Sequence, residues 1–476
     1  MTSKAWVFLA LVLAGSFLAQ LASALHAACQ TTIDITCVIQ SLDVRWGLKM
    51  PHRGWVPLQM ALAAPLAGLS AERWGWCVFL VHGLNAGLVF TLSRLTGLPK
   101  SWSLVAALVF LAVPGLADST FRPSNLTEFL LLTAFLLVTI SYIRRAEAAT
   151  WRRALPWLAA EVGAVVLGVG NKESFILYPA LLAACDLTLA PGSRARTGRE
   201  QRLFLVRRWL PHLILLPYVL LNTLPWILDR NIHPLGIQLS PGSVLAQWAR
   251  ASAALAMPWL SSRTDPASPP WAALLVPGAL ALAALRGGPA LRFQLLMGLV
   301  LAAPVGALGT RFDEPYAYHL WPAMAMGTCL VLSAARSRWP GLLAGLWLIG
   351  LAVLQDRSRY PTPCAASPAM VSAIAAAPQQ ACSPQAEAWR VPRELAEEHL
   401  ALRCAWLERA RGAFPEAAAC CSGRGLEERW QCFGEDLAGE APMGEEAASV
   451  MGILRQLLAI RCGRLDVKVR LESVLE

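Results

Sequence analysis

Long apolar stretches recur along this chain and constrain its fold more than any other feature. Runs close to the roughly 20 residues that cross a bilayer begin at residue 5 and continue to about residue 354. Hydrophobic residues make up 56% of the chain and charged residues only 15%, whereas soluble domains carry about a quarter charged residues. The chain is therefore predicted to be an all-α polytopic membrane protein.

The positive charge of the chain, a net +10, is concentrated in short segments between apolar runs. Arginines cluster in "YIRRAEAATWRRA" at 142–154 and in "GSRARTGREQRLFLVRR" at 192–208. Short loops rich in arginine mark the cytoplasmic side of a membrane protein. The net positive charge therefore indicates which loops lie on the cytoplasmic side of the membrane, and we expect no nucleic-acid partner.

The apolar segments and the arginine loops together predict about eleven crossings. A signal peptide is the alternative to a first anchor helix, because "LASA" at 21–24 offers small residues for cleavage. The segment 56–70 is expected at the interface, and whether 244–260 crosses the membrane is open. The predicted crossings are 5–25, 74–93, 101–117, 125–143, 154–170, 174–190, 209–228, 271–285, 293–309, 316–335 and 341–354.

This topology divides the chain into three parts. A transmembrane domain at 1–354 carries long outer loops at 26–55 and 229–270, a Pro/Ala-rich linker follows at 355–380, and a small helical, cysteine-rich domain is predicted at 381–476. We expect a multi-pass protein of the inner (cytoplasmic) membrane whose C-terminal domain is periplasmic or extracytoplasmic.

Cysteine positions agree with this orientation. Of twelve cysteines, Cys77, Cys185 and Cys329 fall in predicted helices, and the other nine fall in segments predicted to lie outside. Disulfides persist in the periplasm and the extracellular space. The tail holds seven of the nine, an odd number, so their pairing is open. No cysteine or histidine spacing indicates a metal site.

Polar residues collect in the outward turns, most notably the lysine–glutamate pair in "GNKES" at 170–174. Ionisable residues at membrane depth usually have a function or a partner. Cations at a membrane rim suit a lipid phosphate, and a nearby carboxylate suits deprotonation of a hydroxyl. A transferase with a lipid-phosphate donor needs both. The alternative is that the pair binds other loop charges and only anchors its hairpin.

Four stretches resemble the GT-C superfamily of integral-membrane glycosyltransferases, particularly its protein O-mannosyltransferase-like and bacterial branches. The resemblance covers about residues 1–354, and a fifth stretch, "FDEPYAYHLWPAMAMGTCLVLSA" at 312–334, matches weakly. The four stretches are "HRGWVPLQMAL" at 52–62, "FLVHGLNAGLVFTLSRLTG" at 79–97, the hairpin at 107–145, and "LGVGNKESFILYPALLAACDL" at 167–187, which matches a "KE-x-x-x-x-x-P" pattern and is the most specific.

The resemblance implies inverting transfer of a sugar from a polyprenyl-phosphate donor to an acceptor hydroxyl on the outer face, with a first-loop aspartate as general base and no cofactor or metal. The acceptor is a glycan, a lipid or a protein, and membrane lipid is the other partner. By the same resemblance, Asp34, Asp43 and Asp118 are catalytic candidates, Lys172, Arg122 and Arg311 bind the donor phosphate, and Arg53, Glu173, Tyr316 and His319 shape the substrate site.

One departure from the family pattern concerns the general base. The family often has paired acids after its first helix, whereas Asp34 stands alone between Cys29 and Cys37, and Asp43 is a rival for the role. A transporter and a non-catalytic scaffold are alternative functions. Transporters usually contain repeated halves with charges at the bilayer midplane; here the polar residues lie in outer loops without a detectable repeat, which favours the enzyme.

Overall fold

The computed structural model describes residues 71–111, 126–189, 208–221, 240–256, 271–306, 318–334, 388–391 and 468–471, together with the single residues 206, 425 and 428. The α-helices in this part of the chain are α1 Ala71–Leu95, α2 Lys100–Leu111, α3 Leu126–Glu147, α4 Trp151–Asn171, α5 Tyr178–Thr188, α6 Arg208–Leu221, α7 Pro241–Ala256, α8 Leu275–Arg286, α9 Pro289–Gly306 and α10 Trp321–Ala334. Short 3-10 helices at Glu173–Leu177, Trp271–Leu274 and Tyr318–Leu320 precede α5, α8 and α10.

These helices coincide with the predicted apolar segments. Three of them, Trp76–Leu95, Leu126–Glu147 and Trp151–Asn171, are long and apolar enough to cross a membrane. The polytopic helical class is therefore confirmed for the described part of the chain. The predicted segments 5–25, 56–70 and 341–354 lie outside it, so eleven crossings stays a prediction, as does the membrane status of 244–260.

Helix α3 forms the centre of the described bundle. In the most apolar part of each long helix, 78% of the α3 residues are buried, compared with 39% of the residues in α1 and in α4. Its buried side chains include Phe129, Phe135 and Tyr142, and it packs against both α1 and α4. Residues on α3 are therefore placed to contact several helices at once.

The turn between α1 and α2 depends on one glycine. Gly97 has a φ of +95°, a conformation that glycine adopts at little cost and that commonly ends a helix. The Leu98 backbone N–H donates to the carbonyl of Ser93 at 3.0 Å, which closes the turn. This turn brings α2 back along α1.

Helix α10 is joined to α2 by a buried tryptophan. The indole nitrogen of Trp321, a side chain that is 1% exposed, lies 3.2 Å from the carbonyl oxygens of both Val109 and Phe110. Since Trp321 directly follows the 3-10 helix Tyr318–Leu320, this anchor also fixes the position of Tyr318 and His319.

The tail contains two strands that the prediction of a wholly helical C-terminal domain did not include. Strand β1, Ala388–Val391, pairs in parallel with strand β2, Lys468–Leu471, with Ala388 opposite Lys468. Parallel strands need a long connection between them, and nearly eighty residues separate these two. The helical patterns read from the tail sequence lie within that connection, outside the described residues.

Cys77, Cys185 and Cys329 are free thiols on α1, α5 and α10, as predicted. The nine cysteines assigned to the outside lie beyond the described residues, and their disulfides stay a prediction.

Candidate functional site

Lys172 lies where the chain leaves α4. Its backbone is extended, with φ −156° and ψ 140°, and its N–H still donates to the carbonyl of Gly168 at 3.0 Å, so it caps the helix. The chain then enters the 3-10 helix Glu173–Leu177 and continues into α5, whose first turn contains Pro179. Proline fits there because the first turn of a helix leaves its N–H groups unpaired in any case. The helix end therefore projects the Lys172 side chain toward α3.

The ammonium group of Lys172 forms an ion pair with the carboxylate of Glu128, in the first turn of α3. The two side chains are only 8% and 9% exposed. Beside the pair, the Asn171 side chain donates to the carbonyl of Thr127 at 2.5 Å, which links the end of α4 to the beginning of α3 a second time.

His319 completes this group of charges. Its Nε2 lies 3.1 Å from the backbone carbonyl oxygen of Glu128 and 3.2 Å from Oε2 of the same residue. Because both neighbours are acceptors, Nε2 carries the hydrogen. We call Glu128, Lys172 and His319 the Lys172 cluster. It joins a basic residue, an acidic residue and an imidazole from three separate segments of the chain.

A second set of buried polar side chains lies directly beside the cluster. His82 Nε2 donates to the carbonyl of Leu111 at 3.2 Å, which leaves Nδ1 to accept from the Tyr318 hydroxyl at 2.9 Å. The Asn85 amide donates to the same hydroxyl at 3.2 Å and to the carbonyl of Phe129 at 2.9 Å. The Thr133 hydroxyl donates to Asn85 Oδ1 at 2.7 Å.

We call His82, Asn85, Thr133 and Tyr318 the Tyr318 network. Its hydrogen bonds join α1, α3 and the 3-10 helix that carries His319, and the Phe129 ring stacks on Tyr318 with centroids 4.1 Å apart. A fully paired buried network favours a single arrangement of the segments that it joins. The network therefore positions His319 against Glu128.

Two of the ten site residues predicted from the sequence have side chains in the described part of the chain, and both are in the Lys172 cluster. They are Lys172 and His319. Glu173 is described only as the first residue of its 3-10 helix. Asp34, Asp43, Arg53, Asp118, Arg122, Arg311 and Tyr316 lie outside the described residues, so their roles stay predictions.

The lysine–glutamate neighbours were expected to face the outer side at the membrane rim and to offer one charge to a ligand and one to an adjacent helix. Lys172 is buried, and its partner Glu128 is on the adjacent helix α3. This contact follows from the end of α4 at Asn171, after which the capping residue Lys172 directs its side chain toward α3.

Sequence reasoning missed five residues of the two groups: Glu128, His82, Asn85, Thr133 and Tyr318. His82 and Asn85 stand in the quoted segment "HGLNA", and their spacing of three residues places both on one face of a helix. Glu128 is the fourth residue of the predicted crossing 125–143. An isolated carboxylate at the start of a long apolar helix was the signal that could have found it.

A separate buried group of charges lies toward the other end of α3. Arg145 donates from Nε and Nη2 to the two carboxylate oxygens of Glu161, at 2.7 and 2.8 Å. His212 Nε2 lies 2.6 Å from Glu161 Oε1, and Arg208 lies 2.7 Å from Asp186 Oδ1. The Arg208 guanidinium also covers the Tyr142 ring at 3.8 Å. We call these four ionised side chains and His212 the Arg145 cluster.

The Arg145 cluster differs from the Lys172 cluster in chemistry. Its two arginines and two carboxylates are matched one to one, and both arginines are nearly buried, at 11% and 2% exposure. Arg145 and Arg208 come from the predicted cytoplasmic segments, where arginines were interpreted as markers of orientation. These two also hold α3, α4, α5 and α6 together.

The two clusters are separated by about the thickness of a membrane. Glu128 and Arg145 lie seventeen residues apart on α3, which at 1.5 Å per residue is about 26 Å. The hydrocarbon core of a bilayer is about 30 Å thick. Each cluster therefore lies near one boundary of the membrane when α3 spans it.

The described residues contain no group of three or more His, Cys, Asp or Glu side chains that could hold a metal ion. The chemistry available at the Lys172 cluster is that of a buried cation, with a carboxylate and an imidazole in contact with each other.

Comparison with known proteins finds a likeness to solved structures but to no family model and no curated sequence. The chain is similar to the crystal structure of ArnT from Cupriavidus metallidurans in the apo state, with 15% sequence identity and a TM-score of 0.45, over 98% of this chain and 78% of that chain. A likeness at this TM-score establishes neither the fold nor the activity of this chain.

Proposed function

We propose that this protein is a membrane glycosyltransferase that moves a sugar from a polyprenyl-phosphate donor to an acceptor hydroxyl at the outer face of the membrane. The observation that carries the proposal is the convergence of Lys172, Glu128 and His319 at one end of the bundle. These residues come from three of the stretches whose sequences resemble GT-C enzymes, and His82 and Asn85 of the Tyr318 network beside them come from a fourth.

The reaction needs a base and a site for the leaving phosphate. A carboxylate, for which Asp34 and Asp43 are the candidates, takes the proton of the acceptor hydroxyl. The hydroxyl oxygen bonds to the anomeric carbon as the bond from that carbon to the phosphate oxygen breaks, and the electron pair stays on the phosphate. The donor phosphodiester, with one negative charge, becomes a phosphomonoester with a second negative charge.

Lys172 is suited to that change in charge. In the resting state Glu128 balances its charge in a site shielded from water. A negative charge that develops on a nearby phosphate attracts the ammonium group more strongly in the transition state than in the ground state, and only such differential interactions accelerate the chemical step. Glu128 then holds the ammonium group in place, while His319 contacts Glu128 from the other side.

The test is a transfer assay on the full chain in proteoliposomes, with a panel of polyprenyl-phosphate-linked hexoses and pentoses and membrane extract as the source of acceptor. We expect one donor to release polyprenyl phosphate. The Lys172→Ala variant is expected to insert but to be less stable, because Glu128 loses its buried partner. Its folded fraction should lose transfer, by roughly a hundredfold or more, because the leaving phosphate loses its cation.

The matched control is Lys100→Ala, which removes an exposed lysine from the first turn of α2 and should leave the rate unchanged. Asp34→Asn and Asp43→Asn assign the base, since only one of them should abolish transfer. Full activity of Lys172→Ala would remove that lysine from the site. An inserted wild-type chain that transfers no sugar from any donor would favour a scaffold or a transporter.

A further inference from the structure

A mostly apolar cavity lies between α7, α8, α9 and α10. Its volume is about 120 Å³, within a groove of about 730 Å³ that includes open space, and no charged side chain lines it among the described residues. Gly298 on α9 and Gly327 on α10 form parts of its wall, where the absence of side chains leaves space. Trp248, which also lines it, donates from its indole to the carbonyl of Ala302 at 3.0 Å and ties α7 to α9.

One polar side chain in the cavity wall has no hydrogen-bond partner among the described residues. Gln294 on α9 is 3% exposed, and both its amide nitrogen and its amide oxygen are buried and unpaired. A buried amide without partners is costly, whereas a ligand that pairs it recovers that free energy. Because the amide both donates and accepts, it is best matched by one ligand group that does the same, such as a hydroxyl or a secondary amide.

The shape of the cavity indicates a chain-like ligand. Its lining on α9 runs from Leu291 to Ala302, eleven residues or about 16 Å along the helix. Leu299, a lining residue near the middle of α9, is 43% exposed, so the cavity is open at that point. Leu320, next to His319, also lines it. A hydrocarbon chain can enter from the bilayer and extend along α9.

We propose that this cavity binds the hydrocarbon chain of an amphipathic lipid that carries a hydroxyl or a secondary amide along the chain, paired with Gln294. A polyprenyl chain has no such group and would leave the amide unpaired. The inference does not rest on the proposed sugar transfer, since binding is measured without a sugar donor.

The test compares straight-chain fatty acids with and without a hydroxyl, placed near the carboxyl group, at mid-chain or near the methyl end, and a chain interrupted by an amide. Binding to the purified full-length protein in nanodiscs is measured by competition with a fluorescent fatty acid. We expect one hydroxylated or amide-bearing chain to bind roughly tenfold more tightly than the unsubstituted chain.

The variant that isolates the amide is Gln294→Met, which keeps the length of the side chain and removes both hydrogen-bonding groups. It should bind the substituted and unsubstituted chains equally and should melt at a higher temperature without ligand than the wild type does. A preference that survives in Gln294→Met, or a wild type that binds all chains equally or prefers a polyprenyl chain, overturns the proposal.

A second pair of variants tests the cavity itself. A Cβ at Gly327 would lie 3.8 Å from Gln294 Cβ and from Leu280 Cδ2, an ordinary contact distance, so Gly327→Ala should fold and bind. Gly327→Leu fills the space and should lose binding of every chain by at least roughly tenfold. Unchanged binding in a folded Gly327→Leu protein places the ligand elsewhere.

Discussion

At the scale of single residues, the two polar groups near Lys172 differ in how they are satisfied. In the Lys172 cluster a positive charge is paired with a negative charge. Removing one charge of such a buried pair leaves the other charge without a partner. The Tyr318 network contains neutral groups in which the hydroxyl of Tyr318 donates to His82 and accepts from Asn85. The network is a support for the cluster, because Tyr318 directly precedes His319.

We expect Thr133→Val to destabilise the protein by about 0.6–2 kcal/mol. The Thr133 hydroxyl donates to Asn85 Oδ1 at 2.7 Å across two helices, and valine keeps the shape but not the bond. Reversible unfolding in mixed detergent micelles measures the change. The control is Thr91→Val, whose hydroxyl bonds only to the Gly87 carbonyl of its own helix at an exposed position. Equal losses in the two variants would contradict a role for the network.

The sequence pointed to individual residues of the site but not to their partners. Lys172 stood out because a charge was surrounded by apolar residues, and His319 because it belonged to an outward segment. Glu128 and Lys172 are forty-four residues apart in the sequence. The periodic patterns that predict helices extend over only a few residues, so they do not indicate this pairing. A contact of this kind depends on how helices pack, which the hydrophobic periodicity of each helix does not specify.

At the scale of elements, the hairpin from α4 to α5 is held by close packing at its turn. Phe175 is fully buried in the 3-10 helix and lies over Gly168 on α4. Its ring also stacks on Tyr178, with centroids 5.2 Å apart. The absence of a side chain at Gly168 lets the turn fold back onto α4, and the turn begins at Lys172.

Gly168→Ala should therefore destabilise the protein by about 1–3 kcal/mol, because the new Cβ would lie 2.5 Å from Phe175 ring atoms. It should also lower sugar transfer, since the displaced turn carries Lys172. The matched control on the same helix is Gly163→Ala, where nothing lies within 4 Å of the new Cβ. That variant should be neutral or slightly more stable, as the same unfolding assay can show; a neutral Gly168→Ala would contradict the packing described for the turn.

The positions of the helices were predictable for a physical reason. A crossing requires an apolar run of nearly fixed length, and charged or turn residues end it, as at Arg94 and at Arg144 and Arg145. Detail inside the elements was not predictable. The first turn of the predicted helix 174–190 is a 3-10 helix. In the tail, the apolar residues between β1 and β2 follow helical spacing, and this pattern gave no sign of the two strands.

At the scale of the whole molecule, the buried charged side chains of the described residues form two layers near opposite ends of α3. The Arg145 cluster joins four helices through matched ion pairs. The Lys172 cluster joins α3, the end of α4 and the segment before α10. The first layer is suited to stability, and the second is the proposed site of chemistry.

Two adjacent arginines provide a direct comparison for the first layer. Arg145→Ala leaves Glu161, which is fully buried, without its bidentate partner, and should cost about 3–5 kcal/mol of stability. Arg144 pairs with Glu147 at 3.7 Å, and both side chains are about half exposed. Arg144→Ala should change stability by less than about 1 kcal/mol. Yield of folded protein and detergent unfolding both report the difference, and equal effects would argue against the buried network.

The measurement that decides most directly whether Lys172 acts on substrate is sugar transfer by the double variant Lys172→Met with Glu128→Gln. Both charges of the buried pair are removed together, so no uncompensated charge is left and the protein should insert and melt like the wild type. We expect transfer to fall by roughly a hundredfold or more, because no cation meets the leaving phosphate. Transfer close to the wild-type rate in this folded double variant would show that the pair only anchors the hairpin.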